Sequence, residues 1–216
     1  MIRIADGGIS WVLASFAITF LVLGCSFFTT GLLFVLSSIF SLLFFLLSCL
    51  LIVFFRDPDR TIGVGVVAVA DGKIREIVNI KDPEVGDCTR VSTFMNIHNV
   101  HVNRMPCDGT IEKITHTPGG HLPAFKKESD SNERMVLLMR TEIGMVKVVQ
   151  IAGTLARRII PYVGAGAVLK KGEKIGLIRL GSRVDVYLPT NRINALMIHV
   201  DERIKAGEDT IAETHV

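Results

Sequence analysis

A chain of 216 residues with 49% hydrophobic content and a mean hydropathy of +0.45 is too apolar for an ordinary water-soluble domain. A formal net charge of +3 with 21% charged residues and no dense basic run argues against nucleic acid as a partner. Cys25, Cys49, Cys88 and Cys107 show no metal-ligand spacing and read as reduced thiols, so neither a metal centre nor a disulfide frame is expected.

The apolar excess is concentrated at the N-terminus. Residues 7–55 contain no Asp, Glu, Lys, Arg, His or Pro. As one helix this run would reach roughly 74 Å, whereas a bilayer core is about 30 Å thick. Two spans are therefore expected, near 9–28 and 32–54, broken at Thr29-Thr30-Gly31. A signal peptide would have an apolar core of only about 7–15 residues. Ser15, Thr19 and Ser26 repeat the spacing of Ser37, Ser41 and Ser48, so each span carries one face of small hydroxyl residues suited to close helix contact. Arg3 precedes the hairpin and Arg56 and Arg60 follow it, while its tip is uncharged. The positive-inside rule then puts both ends and the following domain in the cytoplasm. At Phe54-Phe55-Arg56-Asp57-Pro58 aromatics give way to charge, which divides the chain into a membrane hairpin, 1–55, and a second domain, 56–216.

Residues 61–216 read as β. Apolar runs at 64–70 and 73–80 flank Asp71-Gly72, and Asp108-Gly109 repeats the device. Lys171-Gly172-Glu173 and Ala206-Gly207-Glu208 mark two similar hairpins. A short helix near 191–197 is the one helical expectation in this part. The 115–134 stretch reads as a long loop, the class that is functional or disordered in a compact domain. Its Leu122, Pro123 and Phe125, backed by Lys126 and Lys127, suit shallow insertion into a lipid surface as well as a plain surface loop.

Two stretches carry chemistry. The first, Asn99-Val100-His101-Val102-Asn103-Arg104, follows His98 and places histidines and asparagines where a β pattern disfavours them. In the second, Gly181-Ser182 interrupts a strand pattern whose apolar positions are Ile178, Leu180, Val184, Val186 and Leu188. A glycine-serine pair is compatible with a bulged turn. It is also compatible with a self-cleaving bond, because glycine has no Cβ to shield its carbonyl from the serine Oγ.

Leu180-Gly181-Ser182-Arg183 resembles the cleavage site of the phosphatidylserine decarboxylase family, in its short form, and especially that of archaeal archaetidylserine decarboxylase proenzymes. The 99–104 run resembles the same family's Asn-Val-His-Val-Asn-Arg segment, as do the Phe-Phe-Arg-Asp-Pro entry and Gly153-Thr154-Leu155-Ala156-Arg157-Arg158-Ile159. The resemblance implies a mostly-β domain behind the hairpin, and the Gly-Glu hairpins add a likeness to the lipoyl-type barrel-sandwich. It also implies cleavage between Gly181 and Ser182 into two chains, with Ser182 converted to a covalent pyruvoyl cofactor. The pyruvoyl carbonyl would condense with the amine of a membrane serine phospholipid and draw electrons from the breaking carbon–carboxylate bond.

By the same resemblance His101 is the residue of the decarboxylation step and Asp71 assists processing. Arg104 stands where the long form has the histidine that activates the serine. Three readings stay open: His101 serves both steps, cleavage proceeds with less base assistance, or His98 substitutes, although an odd separation puts it on the opposite strand face from His101 unless a bulge intervenes. Arg104, Arg157, Arg158 and Arg183 are the candidate cations for the substrate phosphate. A pyruvoyl decarboxylase of another amine is the alternative enzyme, and a membrane-anchored β-sandwich adaptor the non-enzyme alternative. The lipid tails and the oligomeric state, homo-oligomers included, are left open.

Overall fold

The structure, a computed structural model, describes residues 3–120, 132–153, 158–179 and 182–215. The chain divides into two units, Met1–Pro58 and Asp59–Val216.

In the first unit a two-residue strand β1 (Arg3–Ile4) pairs with β2 (Arg56–Asp57), and between them run α1 (Ile9–Ser26) and α2 (Gly31–Phe54). Both helices are long and apolar enough to cross a membrane. The expected hydroxyl faces meet except at Ser37, which is only half-buried. Ser15, Thr19, Ser26, Ser41 and Ser48 are buried while most of the large side chains around them are exposed. Ser41 Oγ donates to the Thr19 carbonyl of the other helix at 3.3 Å. Ser15, Thr19 and Ser48 return their protons to carbonyls of their own helix, so no hydroxyl is stranded in the seam.

The second unit is built of strands β3 (Val66–Val67), β4 (Gly72–Asp82), β5 (Gly86–Met95), β6 (Val102–Arg104), β7 (Gly109–Thr117), β8 (Arg134–Thr141) and β9 (Gly144–Ile151). They are followed by β10 (Ile159–Pro161), β11 (Val168–Leu169), β12 (Lys174–Ile178), β13 (Ser182–Pro189), β14 (Ile193–Leu196), β15 (Arg203–Ile204) and β16 (Thr210–Thr214). The principal sheet has eight strands in the order β11-β7-β8-β9-β13-β5-β4-β15, and two three-stranded sheets, β10-β12-β6 and β14-β16-β3, accompany it. All the pairings between these strands are antiparallel. One core serves all three sheets, with Val91, Leu137, Val148 and Val186 from the large one, Ile159 and Ile175 from the second, and Val66 and Ile211 from the third.

The mostly-β character agrees with the pattern of residues 61–216. The finer likeness to a lipoyl-type barrel-sandwich is not confirmed: among the described residues no sheet closes on itself. The short helix expected near 191–197 is a single 3-10 turn, Thr190–Arg192, which runs into strand β14. Ile193, a β-branched residue, favours a strand over a fourth helical residue, and β16 is there to pair with. The two Gly-Glu hairpins are real turns, with Gly172 at φ +83° and Gly207 at φ +77°, which L side chains rarely adopt. The apolar cluster Leu122–Phe125 and its lysines lie outside the described residues.

Ser48→Phe should overfill the helix seam and destabilise the hairpin by about 1–3 kcal/mol, whereas Leu43→Phe, at an exposed position of α2, should be neutral. Thermal unfolding of the two variants in detergent micelles measures the contrast.

Candidate active site

Ser182 is the first residue of β13, and the period of two along that strand sends Ser182, Val184, Val186 and Leu188 to the core face. Arg183, Asp185 and Tyr187 go to the other face. The Ser182 side chain is consequently 0% exposed. Directly across on β5 stands Met95, and Ser182 Oγ donates to its sulfur at 3.6 Å. A thioether is a weak acceptor, so the hydroxyl is held without being strongly satisfied.

A second buried group shares that sulfur. Asn103 Nδ2 approaches Met95 Sδ at 3.8 Å, and Asn103 Oδ1 accepts a hydrogen bond of 2.7 Å from Gln150 Nε2. Gln150 lies on β9 opposite Val184. Since β5 and β9 flank β13, a carboxamide that touches Met95 on one and Gln150 on the other lies over the beginning of β13. Both amide side chains are fully buried. Gly176, paired with Asn103 across β12 and β6, makes the room: a Cβ there would stand 3.1 Å from Gln150 Nε2 and 2.8 Å from the Ile160 carbonyl.

His101 is also fully buried. It lies in the connection between β5 and β6, so strand-face parity does not relate it to His98, which is exposed in the Asn96–Asn99 turn. The His101 Nδ1 faces the Asn99 carbonyl at 2.9 Å. That contact favours a proton on Nδ1 and leaves Nε2 as the atom that gains or gives one. The His101 carbonyl accepts from Ile178 N–H at 3.2 Å, which ties the histidine to the strand leading toward Ser182. Among the described residues the hydrogen bond of Ser182 Oγ goes to Met95 and not to His101.

Asp71 has a partner that the pattern did not suggest. Its carboxylate accepts from Arg60 Nη2 at 3.1 and 2.9 Å and from Ala206 N–H at 2.8 Å. The backbone of Val100, the residue before His101, also favours its charged form. Burial pushes its pKa above the ordinary carboxylate value, against the pull of Arg60 and the N–H donors.

The sequence matches the phosphatidylserine decarboxylase family over residues 47–212. The chain belongs to the phosphatidylserine decarboxylase family. A relative named phosphatidylserine decarboxylase proenzyme, from Streptomyces avermitilis, is 48% identical over 160 residues, covering 74% of this chain and 69% of the relative. Another of that name, from Streptomyces coelicolor, is 49% identical over 160 residues, covering 74% and 68%. A protein of Methanococcoides burtonii, provisionally named archaetidylserine decarboxylase proenzyme, is 46% identical over 163 residues, covering 74% and 73%.

Within this decarboxylase-family fold the candidate cations separate. Arg104 Nη1 donates to the Gly172 carbonyl at 3.0 Å, on the hairpin turn, and its backbone N–H bonds Val69. Arg183 Nη2 pairs at 2.9 Å with Asp185, on the strand face away from Ser182. Arg158 instead lines a cleft of about 440 Å³ with Arg179, His116, Glu133, Met135 and Pro161. Burial, and then the like charge of Arg158, lowers the pKa of Arg179. Arg179 N–H donates to the Arg158 carbonyl at 3.4 Å, so the two residues sit side by side three positions ahead of Ser182. Arg157 and Gly181 lie outside the described residues.

Sequence reading missed Arg60, Arg179, Gln150 and the role of Asn103. Arg60 carried a signal, as the one cation just before the Asp-Gly aspartate. Gln150 carried one too, a polar residue in the middle of an apolar strand. Arg60→Met leaves the Asp71 charge buried and unpaired and should cost about 3–5 kcal/mol. The double variant Arg60→Met/Asp71→Asn should recover much of that. A raised folded pKa also means that folding favours the protonated acid, so the Asp71 contribution is present in acid and lost as pH rises through the raised value. Melting temperature against pH should therefore fall off less toward neutrality in Asp71→Asn than in the native chain.

Proposed function

We propose that this chain is a serine-phospholipid decarboxylase, made as a proenzyme that cuts itself between Gly181 and Ser182 and carries a pyruvoyl group derived from Ser182. The observation that carries the reading is a serine fully buried at the head of the central strand, immediately behind a glycine, in a member of this family.

In the proposed cleavage Ser182 Oγ bonds to the carbonyl carbon of Gly181 and the peptide carbon–nitrogen bond breaks. The hydroxyl proton ends on the Ser182 nitrogen. Loss of the Cα proton then expels the Gly181 carboxylate, and one water replaces the nitrogen as ammonia. The wall around Ser182 fits the product. The Met95 sulfur, an uncharged partner, tolerates a methyl where the hydroxyl was. The pyruvoyl carbonyl supplies the electron sink that cleavage of a carboxylate beside an amine requires.

The chain's own residues do the rest. His101, its Nδ1 held by the Asn99 carbonyl, delivers a proton from Nε2 to the carbon that has lost carboxylate. Arg158 and Arg179 offer paired cations for the head-group phosphate. Two apolar helices keep the enzyme with its lipid, and Arg3, Arg56 and Arg60 at their ends favour the cytoplasmic side.

Mass spectrometry of the purified protein should find chains of 181 and 35 residues (216 − 181), the shorter reacting with hydroxylamine at its new terminus. Ser182→Ala should remain one inactive chain, and normal turnover by that variant would refute the assignment. Any cleaved His101→Ala should release no carbon dioxide. Arg158→Gln and Arg179→Gln should each raise KM for the phospholipid about tenfold or more, the loss of one charge-assisted bond of about 1.5–3 kcal/mol, with little change in kcat. Unchanged KM in both would remove the cleft from substrate binding.

A further inference from the structure

We infer that Asn103 is the hydrogen-bond donor for the oxyanion formed when Ser182 Oγ attacks, and that Gln150 is the positioning residue that aims it. The inference rests on the self-cleavage proposed above.

As Oγ bonds to the carbonyl carbon, an electron pair moves onto the carbonyl oxygen. Collapse of the adduct breaks the carbon–nitrogen bond, and the hydroxyl proton passes to the departing nitrogen. In the adduct the charged oxygen is two bonds from Oγ, so its donor must stand close to Oγ itself. Asn103 Nδ2 is on the same side of the strand pair: it approaches the Met95 sulfur that Ser182 Oγ also contacts, at 3.8 and 3.6 Å. Sulfur is a poor acceptor, and among the described residues no oxygen takes an Asn103 N–H. The amide therefore enters the step with a donor in reserve, in a fully buried site where such a bond counts most.

Its orientation is set from the other side. Gln150 Nε2 holds Asn103 Oδ1 at 2.7 Å, which turns Nδ2 toward Met95 and Ser182. Among the described residues Gln150 Oε1 has no partner, although the side chain is fully buried. A pair kept only to satisfy itself would use that oxygen. Gly176 leaves the space in which the Gln150 amide lies.

The test measures the rate of self-cleavage of newly made full-length protein by intact mass, with folding checked by the melting temperature of each variant in a Ser182→Ala background. Asn103→Leu should slow cleavage about 100-fold or more. Asn103→Asp keeps the shape and the acceptor for Gln150 but loses the N–H. It should be slow at neutral pH and recover as pH falls, when a protonated carboxyl again offers a donor, and a purely structural role predicts no such recovery. Gln150→Leu should slow cleavage less than Asn103→Leu and add nothing to it in the double variant. Near-native cleavage by Asn103→Leu with an unchanged melting temperature overturns the inference, as do additive effects of the two substitutions for Gln150. A native chain that stays whole would instead refute the self-cleavage on which it rests.

Discussion

Everything in the second unit turns on one constraint: the residue proposed to react is the first of a strand that is paired on both sides and faces the core. β13 is held along its whole length by β5 and along most of it by β9. Ser182 thus inherits the position of a core residue while carrying a hydroxyl. In the uncut chain its side chain is closed off from bulk solvent, and polar groups that reach it act in a medium of low dielectric, where each is worth more than at the surface. Exclusion of water also suits a proposed route through an ester, which water would otherwise hydrolyse before elimination.

The opposite face of β13 shows how this placement is secured. Asp185 is almost completely buried and paired with Arg183, and burial still raises its pKa above the ordinary value. Farther along, Lys147 stands 4.6 Å over the Tyr187 ring and is bonded to Asp82. A slip of one residue in register would drive Asp185 into the apolar core and turn Ser182 outward. The ion pair adds little to net stability in such a place, but the penalty for misplacing it is large. Arg183, which in the sequence stood next to the proposed cleavage point as a candidate phosphate ligand, is part of this register lock.

The features legible in the sequence are those that local physics dictates. A run of 49 residues (7–55) without charge has few fates, and the serine spacing in it marks the helix seam because the period of a helix is fixed. Alternation around Ser182 gave its strand, and hence which face it occupies. What escaped was non-local. Arg60 meets Asp71 across 11 residues and Gln150 meets Asn103 across 47, and no periodicity encodes such meetings. The likeness to a barrel-sandwich stays unconfirmed for a related reason. Hairpin turns such as those at Gly172 and Gly207 are local, whereas closure of a sheet depends on which edges pair.

Strand β6 resolves why an arginine can stand where a base might be sought. Val102 and Arg104 share one side of it and Asn103 the other. Arg104 is spent on the Gly172 turn, so the polar group that this strand sends toward Ser182 is a carboxamide. A carboxamide neither takes nor gives a proton at neutral pH, and toward a developing negative charge it acts by donating a hydrogen bond. That is sufficient for an acyl shift from nitrogen to oxygen, in which the proton lost by Oγ is regained by the Ser182 nitrogen. Such a step needs a carrier for the proton but no permanent sink. Stabilising the oxyanion is then the larger demand, and the buried amide pair meets it from a direction that a residue at position 104 does not face.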